Sequence, residues 1–148
     1  NGSLLIGLRN PIPRGRAVVV PLLNPAVLVD GTKGGQARFG DPIEIDLGGD
    51  GVRSMLGEPG KYYIAAGAYD GERRASLWTW DGKSAPVKIW QSRGGEDVNL
   101  EALMEMPGTG GKTLMALSDD GGNEVNGKEC KDLPSYQQRF RAYTVNLE

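Results

Sequence analysis

The chain has 148 residues and sets 17 Lys plus Arg against 19 Asp plus Glu, a formal charge of −2. That length fits one domain or one piece of a larger one, and the near-balance of charge excludes a polycationic nucleic-acid binder or a basic membrane-surface protein. The densest apolar run, 17–23, contains Pro21 and falls far short of the roughly 20 residues a membrane span needs.

Hydrophobic residues make up 39% and charged residues 24%, the balance of a globular chain. The opening residues carry no charged-then-apolar leader pattern. Neither nucleic acid nor a membrane is expected as a partner. The sequence contains no His, which removes the commonest general base and the commonest transition-metal ligand. Ser-His-Asp and Cys-His catalysis, and any zinc site using His, are excluded within these residues. The single Cys, Cys130, rules out an internal disulfide.

In chain order, short β-branched and aromatic runs separated by Gly, Asp, Asn and Pro predict strands at 3–9, 17–23, 42–47, 52–56, 62–68, 75–80, 87–91, 100–106, 113–118 and 139–146. The best helical candidate, 99–106, is stopped by Pro107-Gly108, and 134–141 has room for one short turn. The expected class is all-β. Runs 17–23 and 62–68 are apolar on both faces, as buried middle strands are, whereas Ile43-Glu44-Ile45-Asp46-Leu47 alternates like a half-exposed one.

A repeat underlies this order. Gly2-Ser3-Leu4-Leu5-Ile6 matches Gly60-Lys61-Tyr62-Tyr63-Ile64 and then Gly111-Lys112-Thr113-Leu114-Met115, at offsets of 58 and 51. The unit is four strands in about 50 residues, the grammar of a β-propeller blade, with a β-sandwich of coincidental spacing as the competitor. The blade pieces are about 1–47, 48–98 and 99–148. They amount to about two and a half to three blades, while closed propellers need roughly four to eight. The expected partners are therefore the remaining blades of the same propeller or a companion chain.

An antiparallel path brings two sets of loops to one face, and loops on a rigid scaffold are where function concentrates. One set is 47–53 and 96–101; the other is 9–16, 69–71 and 118–123. Glu101, Asp119 and Asp120 are hard oxygen ligands suited to Ca²⁺ or Mg²⁺, although Asp119-Asp120-Gly121-Gly122 also reads as plain turn chemistry. Arg9, Asn10, Arg53 and Asn99 are candidates for gripping a small anionic ligand; equally, Arg9 and Arg53 have Glu101, Asp119 and Asp120 as ion-pair partners.

Three features read as structural. The stretch 106–113 ends in Gly-Lys-Thr, but Met106 stands where a phosphate loop needs Gly, and a strand follows rather than a helix. Trp78, Trp80 and Trp90 sit at strand spacing and read as packing residues rather than a sugar platform. Cys130 has no His partner to make it nucleophilic.

Several motifs together resemble a bacterial family of uncharacterised β-propeller proteins, a domain of unknown function. They are Gly7-Leu8-Arg9-Asn10-Pro11, Asp46-Leu47-Gly48-Gly49-Asp50-Gly51-Val52-Arg53, Leu77-Trp78-Thr79-Trp80-Asp81-Gly82, Asn99-Leu100-Glu101-Ala102-Leu103, and Ser118-Asp119-Asp120-Gly121 through Phe140-Arg141. The resemblance spans nearly the whole chain and matches the C-terminal half of the family pattern. Family members usually carry Asn-Pro-Glu where this chain has Asn99-Leu100-Glu101. The resemblance implies a propeller and supplies no reaction. More remotely, the arrangement is similar to phytase-like and esterase-like propellers, some of which hold Ca²⁺ in the channel. Three functions stay open: a propeller binding a small anion or a divalent cation at its channel mouth, a metal-assisted hydrolase of phosphate or carboxylic esters, and a protein-interaction scaffold.

Overall fold

The computed structural model describes residues 2–29, 35–68, 74–94 and 96–147. Three antiparallel meanders follow one another along the chain. The first sheet is β1 (Leu4–Gly7), β2 (Ala17–Leu22) and β3 (Ile43–Ile45), with the five-residue helix α1 (Pro25–Val29) between β2 and β3. The middle sheet is β4 (Gly51–Glu58), β5 (Lys61–Gly67), β6 (Ala75–Trp80) and β7 (Val87–Gln91) in sequence order. The third starts with β8 (Leu100–Glu105) and β9 (Thr113–Ser118), leaves for a small hairpin of β10 (Glu124–Val125) and β11 (Lys128–Glu129), and returns as β12 (Arg141–Asn146). All ten expected strands are present, with ends moved by a few residues. The chain is all-β, in antiparallel sheets of two to four strands. No described helix is long and apolar enough to cross a membrane.

Side-chain alternation decides how the sheets meet. On β5, Ile64 and Ala66 point one way and Ala65 the other, because successive strand residues face opposite sides. Ile64 and Ala66, with Val52, Trp78 and Trp80, pack against Ala17, Val19, Ile45 and Leu47 of the first sheet. Ala65, Ala75 and Leu77 pack against Val98, Leu100 and Ala116 of the third. The middle sheet is thus covered on both faces, which explains why β5 and β6 read as continuous apolar runs. Pro21 is tolerated in β2 because β3 pairs only with Ala17–Val19; beyond that reach the Pro21 carbonyl accepts from the Gly40 N–H at 2.8 Å.

The first strands of the middle and third sheets, β4 and β8, share a defect. In β4 the pairing with β5 skips Arg53, between Val52↔Ala66 and Ser54↔Ala65. In β8 the pairing with β9 skips Glu101, between Leu100↔Ser118 and Ala102↔Leu117. Arg53 and Glu101 are therefore equivalent β-bulge residues. This register also corrects the repeat. Ala66 matches Ser118, an offset of 118 − 66 = 52, so the offset of 51 read from the Gly-Lys pairs is one residue short. Since a slip of one residue exchanges the two faces of a strand, only the structural register gives the right buried set, Leu114, Ala116 and Ser118.

Candidate functional site

The meander sends the β1–β2, β5–β6 and β9–β12 connections, together with the starts of β4 and β8, to one rim. Contacts across sheets confirm it. The Val52 N–H donates to the Leu8 carbonyl at 3.0 Å, and a Cβ on Gly51 would stand 2.0 Å from the Arg9 carbonyl oxygen. Only glycine allows that approach.

Arg53 and Glu101 meet on this rim. The Arg53 side chain is 6% exposed; one terminal N–H donates to Glu101 Oε1 at 2.6 Å and the other to the Ala68 carbonyl at 2.6 Å. Gly67 leaves room beside it, since a Cβ there would lie 3.4 Å from Arg53 Nε. Among the described residues, no acceptor meets the buried Arg53 Nε. The structural option, a guanidinium tying adjacent inner strands, is the geometry found for this pair.

Asp120 is a second centre. Its side chain is 7% exposed, and Arg141 at the start of β12 grips it with two N–H donors, Nε to Oδ2 at 2.8 Å and a terminal nitrogen to Oδ1 at 2.6 Å. The Ser118 hydroxyl and the Asn123 amide also donate to Oδ1, at 3.0 and 3.2 Å. Arg141 further reaches the Asp97 carbonyl. The guanidinium, helped by the Ser118 hydroxyl, outweighs burial and holds the Asp120 carboxyl below the usual carboxylate range. Asp120 in turn pushes Arg141 further up from its already high value. In the middle sheet Arg74, just before β6, donates to the buried Asp50 at 3.0 Å.

The remaining candidates are differently placed. Asp119 is exposed and accepts the Gly121 N–H at 2.9 Å, the turn-chemistry option. Asn99 contributes its backbone: its N–H donates to the Ser118 hydroxyl and its carbonyl accepts from the Asp119 N–H. Arg9 and Asn10 are exposed at the first-sheet corner. Residues 69–71 lie outside the described residues. Among the described residues, Glu101, Asp119 and Asp120 do not form a cluster of three or more acidic, Cys or His side chains that could hold a metal; Glu101 and Asp120 are each turned toward a guanidinium. Trp78 and Trp80 are core residues between the first two sheets, and Trp90 packs on Tyr143 with ring centroids 5.6 Å apart.

The sequence reading missed Asp50, Arg74 and the role of Arg141. A signal was available. An Arg-Ala step stands at the start of the corresponding strand in each unit, at Arg16-Ala17, Arg74-Ala75 and Arg141-Ala142, and two of these arginines hold a buried aspartate, although Arg141 pairs with Ser118 as Ser76 pairs with Ala66 and so sits two residues further along than Arg74. Comparison with protein-family models, with curated proteins and with solved structures finds no match to this chain.

Proposed function

We propose that the chain is a sector of a β-propeller and that its charged rim binds a small anionic ligand. The observation that carries the reading is the state of the rim arginines. Arg53 is tied to Glu101 and the Ala68 carbonyl with an Nε that no described residue meets, while Arg9, two residues beyond β1, is exposed beside Gly51. A buried guanidinium with an unmet donor is costly unless an acceptor reaches it, and planar guanidinium edges match carboxylate and phosphate oxygens. The carboxylates expected to hold a cation are less available: Glu101 and Asp120 are engaged by Arg53 and Arg141.

The test is thermal unfolding in inorganic phosphate at constant ionic strength. The reading predicts a rise in Tm that saturates with phosphate and is lost in Arg9→Ala. A Tm indifferent to phosphate, or raised equally in Arg9→Ala, overturns it. A parallel titration with Ca²⁺ separates the cation reading: a rise in Tm abolished by Glu101→Gln and Asp119→Asn would favour a metal at this rim and count against the anion.

A further inference from the structure

We propose that a polar cavity between the end of the first sheet and the β6–β7 pair binds a small monocarboxylate. The cavity holds about 100 Å³ beside Leu47, and Asp50, Arg74, Ser76, Lys88 and Gln91 supply its polar lining. That is room for about three waters at ~30 Å³ each, or for one carboxylate group.

The β6–β7 ladder assembles the lining. Ser76 pairs with Gln91 and Trp78 with Lys88, while Ile89 is skipped. Residues three apart on a regular strand point to opposite faces. The bulge at Ile89 instead puts Lys88 and Gln91 on the face that carries Ser76 and Trp78. There the Lys88 ammonium stands 5.0 Å from the Trp78 ring centroid and donates to Gln91 Oε1 at 2.9 Å, which fixes the Gln91 oxygen as acceptor and its N–H₂ as donor.

Two features select the ligand. Ser76 is 3% exposed and accepts from Trp78 Nε1 at 2.8 Å, and no described residue accepts the proton of its hydroxyl. The Asp50 carboxylate is matched by Arg74, whose Nε donates to it at 3.0 Å, so Lys88 leaves the lining one positive charge in excess. The groups left to a guest are donors around a single net charge, which fits an oxyanion carrying one negative charge.

The internal repeat supports this independently. Asp50 stands three residues before the bulge at Arg53, and Val98 three before the equivalent bulge at Glu101. Val98 is fully buried in the core between the middle and third sheets. A buried ion pair is commonly no more stabilising than such an apolar residue. Stability therefore does not account for Asp50 and Arg74 at this junction; keeping a polar cavity does. Arg9 and Arg53 lie outside the cavity, so failure here leaves the anion reading of the rim standing.

Trp78 reports on the cavity, because its indole N–H donates to Ser76. The experiment titrates the full chain with sodium acetate, exchanged against sodium chloride at constant ionic strength, and follows the indole N–H resonances in ¹H–¹⁵N correlation spectra, with Trp78→Phe to assign them. The proposal predicts a saturable shift of Trp78 with affinity on the order of millimolar, the range open to so small a ligand, and no shift of Trp80 or Trp90. Lys88→Gln should bind acetate about two- to fivefold more weakly. Lys83→Gln, a surface change in the β6–β7 turn outside the cavity, should bind it as the unaltered chain does. A Trp78 shift that stays linear or only matches those of Trp80 and Trp90, or equal affinity in Lys88→Gln, overturns the proposal. So does a tighter response of Trp78 to phosphate than to acetate, since a multiply charged oxyanion would then be the occupant.

Discussion

Replacing Asp120 by Asn removes one charge from an ion pair whose carboxylate is 7% exposed and changes little else in volume. The carboxylate receives four donors in the structure, two of them from Arg141. Asn retains one acceptor oxygen but turns an N–H₂ toward the guanidinium, so at least one charge-assisted bond is lost, worth about 1.5–3 kcal/mol. Breaking a fully buried pair costs about 3–5 kcal/mol, but Arg141 is 41% exposed and regains water, which places the expected loss near 2–3 kcal/mol. For a chain of this size that is about 4–12 °C in Tm. The pH dependence follows from the lowered Asp120 value. Its folded-state pKa lies below the unfolded 3.8, so the stabilisation is complete above that value and is lost as pH falls through the folded one. Urea unfolding of both proteins from pH 7 to pH 3 should show a gap that is constant at neutral pH and narrows in acid. A gap under about 0.5 kcal/mol at pH 7, the size expected of an exposed pair, or one that persists unchanged into acid, refutes the assignment.

Other substitutions separate the parts of the fold. Glu101→Gln should cost about 1–2 kcal/mol in urea unfolding by weakening the partner of a buried guanidinium. Glu44→Gln, which removes an exposed pair with Arg14, should cost under about 1 kcal/mol. Gly51→Ala should lower Tm by the equivalent of about 1–3 kcal/mol, because the added methyl meets the Arg9 carbonyl and the backbones of β1 and β4 must part. Ile64→Ala, at a fully buried site facing the first sheet, should cost about 2–5 kcal/mol in the same assay.

Strand positions were legible in the sequence because their signals are local: β-branched runs, Gly turns, and the double-sided apolarity of β5 and β6. The four-strand order of the middle sheet followed from the repeat. Register was not legible. Nothing in composition marks the bulges at Arg53 and Glu101, and the β8–β9 hairpin is longer than the β4–β5 one: Glu101 lies 48 residues after Arg53 but Ser118 lies 52 after Ala66, so the Gly-Lys pairs stand one residue out of step with the strands they open. The 22 residues between β9 and β12 hid a hairpin whose strands, Glu124–Val125 and Lys128–Glu129, are too short and polar to carry periodicity. Among the candidate residues, the sequence put Arg53, Glu101, Asp119 and Asp120 in loops expected on one face. It left open whether they bind a ligand or one another, because loop residues pair by geometry rather than by spacing. Arg53 with Glu101, and Asp120 with Arg141, are pairings that only the folded strands bring within reach.

Everything described here depends on the three sheets lying in series with the middle one covered on both sides. Ser3, Lys61 and Lys112 stand, exposed, at the openings of corresponding strands in the three sheets, so nitroxide labels on their cysteine variants, taken in pairs, measure the stack by pulsed electron spin resonance. With packed sheets about 10 Å apart, the 3–112 separation should be the longest of the three, exceeding both 3–61 and 61–112. A 3–112 distance equal to or shorter than either of the others would mean that the first and third sheets share a layer, and would contradict the fold.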